Sequence, residues 1–189
     1  MSAPPPPSWQ PPARDPYVEL GDEGRTAEAV RERLVERELR QRASESATFA
    51  GTLRDLAEAA TAVTLRVATG RSYQGALVAV AIDHVVLRSD AGASVHVAVD
   101  QVTAVQPGPG YPPAVATGER ESAAGRTLDE VLFDALEERP TVALVTQGDG
   151  ASHRGRLLAV GEDVLTLQAT DAGMLRYVPT HSVSEVVIG

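Results

Sequence analysis

Two stretches of the chain alternate apolar and polar side chains with a period of two. In one, Val63, Leu65 and Val67 fall on alternate positions; in the other, Val142 and Leu144 do, with Thr146 continuing the register. That spacing puts every other side chain on one face and predicts half-buried strands. Gly70-Arg71 and Gly148-Asp149-Gly150 follow as turns. Further strands are predicted at 73–80, 85–88, 94–99 and 102–106, and again at 153–160, 165–168, 175–179 and 183–188. Ahead of each set stands a threonine with an acid three residues later, Thr52-Leu53-Arg54-Asp55 and Thr127-Leu128-Asp129-Glu130. This pattern satisfies free amides at a helix start and predicts short helices over 52–60 and 127–137.

The two stretches are copies of each other. Ser72–Leu87 (SYQGALVAVAIDHVVL) aligns without a gap on Ser152–Leu167 (SHRGRLLAVGEDVLTL), with seven of sixteen positions identical. After a one-residue insertion the register continues, with Val97, Val102 and Val105 over Val178, Val183 and Val186. Identity and hydrophobic spacing held in step over such a length mark an internal repeat. Gly75 and Gly155 sit inside the second strand of each copy. Glycine weakens a strand, so its recurrence predicts a sharp bend or a close backbone approach.

Outside the repeats the pattern changes. Residues 1–24 form a proline-rich tail whose first fifteen residues hold six prolines and Trp9 as the only large apolar group, too little to offset ordering entropy. A disordered tail is expected there. Residues 25–47 are rich in Glu, Arg, Ala and Leu without Gly or Pro, which predicts a charged helix with one narrow stripe of Val30, Leu34, Val35 and Leu39. The repeats occupy 51–106 and 126–189, and the segment 107–125 (PGPGYPPAVATGERESAAG) reads as a turn-rich linker.

A short helix, then five strands with Gly-x-Leu in the second, closing on Val102-Thr103-Ala104-Val105 and Val183-Ser184-Glu185-Val186, resembles the divergent bacterial Sm-like family, here in two tandem copies. The resemblance implies a mainly β fold with short helices: two five-stranded barrels, each preceded by a helix. It also implies that strands four and five pair with a neighbouring copy, so that two copies in one chain could satisfy each other or propagate further, a pseudo-dimer being the more economical arrangement. RNA-binding members hold a base with an aspartate and an asparagine at the turn between strands two and three, and with an arginine-glycine pair before strand five. Here Asp83 and Asp163 lie near the aspartate position, Val85 and Leu165 at the asparagine, and Ala98-Val99 and Pro179-Thr180 at the arginine-glycine pair.

Charge and composition narrow the function. Seventeen basic residues, all arginine, stand against 26 acids, for a net charge of −9 and a pI near 4.9. Repulsion of a polyanion is the default for such a chain. No cysteine is present, which removes disulfides and thiolate chemistry and favours a cytoplasmic setting. The apolar runs are too short to span a bilayer, and the start lacks the build of a signal peptide. His84, His96, His153 and His181 neither repeat between copies nor show ligand spacing, so no metal and no cofactor are expected. No nucleophile elbow or phosphate-cradling loop occurs, and an enzyme is not expected.

The residues left for ligand chemistry are Arg71, Arg154 and Arg156, placed at or beside the turn before strand two, and the Asp83 and Asp163 turns. Planar guanidinium groups there could bind phosphate or stack on a base. The preferred reading is a non-enzymatic tandem module that works through a protein partner or self-association. An RNA-binding regulator that uses these five residues is the alternative.

Overall fold

The computed structural model describes residues 16–111, 125–170 and 173–189. Residues 1–15, and with them most of the expected proline-rich tail, lie outside that range, as do most of the linker and the Asp171-Ala172 turn. Two compact units divide the chain, Met1–Glu45 and Ser46–Gly189. The first holds one helix, α1 (Pro16–Glu45). It begins nine residues before the Arg25 start expected from composition. Proline at a first helical position has its φ already set and lacks only an amide that would be unpaired anyway. Val30, Leu34, Val35 and Leu39 are all exposed along it.

The second unit contains two short helices, α2 (Phe49–Glu58) and α3 (Leu128–Ala135), and ten strands: β1 (Ala62–Val67), β2 (Ser72–Val80), β3 (His84–Arg88), β4 (Ser94–Ala98), β5 (Val102–Pro107), β6 (Thr141–Thr146), β7 (Ser152–Val160), β8 (Val164–Ala169), β9 (Leu175–Pro179) and β10 (Val183–Ile188). Each repeat is thus one helix and five strands, in the order the sequence predicts. For α3 the expected cap is present: the Thr127 side chain accepts from the Glu130 amide and the Glu130 carboxylate accepts from the Thr127 amide. For α2 it is displaced. Thr48, not Thr52, is the cap, accepting from the Gly51 amide, and Thr52 instead donates to the Thr48 carbonyl from inside the helix.

Instead of two closed barrels, the strands make one antiparallel ten-stranded sheet in the order β5-β1-β2-β3-β4-β10-β6-β7-β8-β9. Each repeat supplies five consecutive strands in matching order, and no ladder closes either set on itself. The fourth strand of the first repeat and the fifth of the second are committed to each other instead: Glu185 faces Val97, Val186 faces His96, Val187 faces Val95 and Ile188 faces Ser94.

The two halves share their irregularities. β2 and β7 each carry a register shift against the following strand, between Leu77 and Ala79 and between Leu157 and Ala159. Such a bulge bends its strand. A Cβ on Gly75 would lie 2.3 Å from the Arg88 carbonyl oxygen, and one on Gly155 would lie 2.6 Å from that of Gln168. Both are impossible contacts, so the glycine in each copy is what lets the following strand cross so close. Each repeat also has its own apolar cluster, Leu65, Leu77 and Leu87 with Leu53 and Leu56 of α2, and Leu144, Leu157 and Leu167 with Leu128 and Leu132 of α3.

Candidate functional site

The most polar buried point of the sheet is where the two repeats meet. β10 reads Val-Ser-Glu-Val-Val-Ile, a strand whose apolar run should sit in a sheet interior, and it does, between β4 and β6. That position carries Glu185 inside with no exposed surface. A buried carboxylate costs several kcal/mol of lost hydration unless partners replace the water. Here the partners come from the other repeat. Thr69 Oγ1 donates to Oε1 at 2.5 Å, Tyr73 OH donates to Oε2 at 2.6 Å, and Arg71 Nε lies 4.0 Å from Oε2. Ser184 Oγ, next along β10, sits 3.3 Å from Oε1 and 3.0 Å from the Val145 carbonyl. Burial, then the hydrogen bond and the negative charge of Glu185, hold the Tyr73 phenol well above its ordinary range.

Arg71 also donates through Nη2 to the Gly150 carbonyl at 3.2 Å, which ties the β1–β2 turn of the first repeat to the β6–β7 turn of the second. At the other end of the junction, the Asp83 carboxylate accepts from the Leu128 amide at 3.0 Å. Leu128 is the first residue of α3, so an acid from one repeat caps the helix of the other and meets its positive end. The same carboxylate lies 2.8 Å from Nδ1 of His84. His84 and His96 are both buried, with ring centroids 5.1 Å apart, and Nδ1 of His96 has no hydrogen-bond partner. Burial first, then the neighbouring His84, depress His96 to a pKa of about 4.

Between Asp83 and α3 the junction opens into a cleft of about 580 Å3. Asp83, Asp100 and Asp129 face it, with Gln147, Thr180 and His181 from the second repeat. Burial, and then the charge of Asp83, raise the Asp129 carboxyl above its ordinary value. Among the described residues no arginine lines this cleft. Its three carboxylates repel a phosphate. Among the described residues no group of three His, Asp or Glu could hold a metal ion, and no described helix is long and apolar enough to cross a membrane.

The five residues singled out in the sequence end in different places. Arg71 and Asp83 belong to the contact between the repeats. Arg154 and Arg156 lie within β7, flanking Gly155, and not at the turn before it; both are exposed, and Arg156 Nε donates to the Arg139 carbonyl at 3.4 Å. Asp163 is exposed on the turn matching that of Asp83 but has no helix to cap. Gly75 and Gly155 lie in β2 and β7, each against a carbonyl of the following strand. What sequence reading missed is Glu185. Its signal was a lone acid in an apolar strand, with Ala104 at the corresponding place in the first copy. No protein-family model matches this chain, and no curated protein matches it in sequence.

Proposed function

We propose that the chain is a non-enzymatic tandem Sm-like module with a structural or protein-interaction role. The observation that carries this reading is the use made of its polar residues. The groups best suited to gripping a ligand, Arg71 and Asp83, are engaged in joining one repeat to the other, through Glu185 and through the start of α3. The fourth-to-fifth strand pairing of the two copies, a helix ahead of each set of five strands and the bent second strand support the Sm-like assignment.

Phosphate recognition has little to work with: the cleft is carboxylate-lined, and from Gly51 onward ten arginines oppose 17 acids. Fluorescence anisotropy with short A-rich and U-rich oligoribonucleotides at about 0.1 M salt tests the reading. No binding at micromolar protein is expected. Saturable binding that weakens steeply with salt and falls on Arg154→Ala and Arg156→Ala would replace it with the RNA-binding alternative.

A further inference from the structure

The duplication gives the chain a built-in control experiment. β4 and β10 mate at the inner junction; their counterparts in the other copies, β9 and β5, are the two free ends of the sheet. Head-to-tail addition of a second chain would set β5 of one on β9 of the next in the register already used inside. Ala104, Val105, Gln106 and Pro107 would then face Val178, Tyr177, Arg176 and Leu175, the residues 81 positions from each inner pair. The apolar attraction for such a step exists, because Leu175 and Tyr177 in β9 and Met174 just before it are exposed.

The hydrogen-bonding groups do not match it. The Gly108 amide bonds inward to the Ala62 carbonyl of the β1 strand, and amides alternate sides along a strand, so position 107 turns its nitrogen to the free side. In β9 the Thr180 amide bonds inward to the Asp163 carbonyl, so position 179 likewise turns its nitrogen outward. Both outward positions are proline, which has no N–H to give. At the inner junction the matching residues are Ile188 and Ala98, both with amides. A second difference is independent of the backbone. The place of Glu185 is taken by exposed Ala104, and those of Arg71 and Tyr73 by Ala151 and His153.

We infer that the chain ends its own sheet: Pro107 and Pro179, with the missing carboxylate pin, keep its outer edges from repeating the inner junction with a second copy. The device confines edge pairing to one pair of strands per chain, whatever the module binds elsewhere.

The test uses the full chain. At about 0.1 mM protein, sedimentation equilibrium gives the mass and native-state amide exchange gives protection at Val105, an outward position of β5. In the wild type, Val105 exchanges freely even if some other surface dimerises the chain. A variant that installs the inner-junction residues on both edges (Pro107→Ile, Pro179→Ala, Ala104→Glu, Ala151→Arg, His153→Tyr) associates, and its Val105 amide slows at least tenfold. Protection of Val105 in the wild type overturns the inference, and so does a folded variant that stays unassociated with Val105 exchanging freely. If the variant does not fold, Pro107→Ile with Pro179→Ala alone is read the same way, and the wild-type result decides independently.

Discussion

The two repeats have the same skeleton and opposite surfaces where they touch. Bulges, glycine crossings and core leucines recur at matching places, yet the polar residues have separated into a socket and a plug. The first repeat offers Thr69, Arg71 and Tyr73 around a space and Asp83 beside it; the second brings Glu185 and the free amides at the start of α3. After duplication, then, the apolar framework was kept and the chemistry of the shared edge became directional. A symmetric pair could have assembled in either order or propagated; this one has a single complementary seam.

The glycine crossings should be the least tolerant part of that framework. Gly75→Ala is expected to cost more than about 4 kcal/mol, or to prevent folding, because backbone occupies the space of the new methyl. Gly155→Ala, with a slightly longer approach, should be the milder of the two. Urea unfolding ranks them, and a neutral Gly75→Ala would show that the crossing is not tight.

Next in size is the seam itself. Glu185→Ala strips the shared acceptor from the half-buried Thr69 and Tyr73 hydroxyls and should cost about 3 kcal/mol, the scale of breaking a buried charge network by removing one partner. The same unfolding series should find Ala104→Glu, at the matching exposed position, within about 0.5 kcal/mol of wild type. Equal effects at the two positions would mean the repeats had not diverged in role.

Acid should loosen the seam through His96. Its folded-state pKa, near 4, lies below the ordinary histidine value of 6.5, so the unfolded chain takes up the proton first. The stability this neutral imidazole contributes is therefore complete above pH 6.5 and is lost as pH falls toward 4, by about 3 kcal/mol. Stability curves of wild type and His96→Gln should converge in slope above that window and diverge within it; parallel curves throughout would rule out the buried neutral histidine. The smallest contrast is between the matching turns. Asp83→Ala should cost about 1 kcal/mol by leaving the Leu128 amide without its acceptor, whereas Asp163→Ala should change thermal stability by less than about 0.5 kcal/mol.

Much of the skeleton was legible in the sequence because it is local. Alternation around Val63 and Val142, the Thr127–Glu130 capping box and the recurrence of Gly75 at Gly155 each follow from neighbours in the chain, and strand limits came within a residue or two. The joining of two sets of five strands into one sheet depends on which edges meet, and periodicity carries no information about that. Site reading failed for the same reason. Arg71 looked like a free cation because its partner lies 114 positions away, and Glu185 drew no notice because nothing local shows that β10 lies between two strands. Arg154 and Arg156 were grouped with Arg71 at or beside the turn, although the strand expected over 153–160 already contained them, and β7 holds both.

Amide exchange at two matching residues of the intact protein tests the seam most directly. His96 in β4 and Tyr177 in β9 occupy the same strand position and turn their amides the same way, one toward β10 and one toward the free edge. With its amide held in the β4–β10 ladder, His96 should exchange about a thousandfold more slowly than Tyr177. Equal exchange at the two would contradict it, because the repeats would then be joined by something other than this pairing.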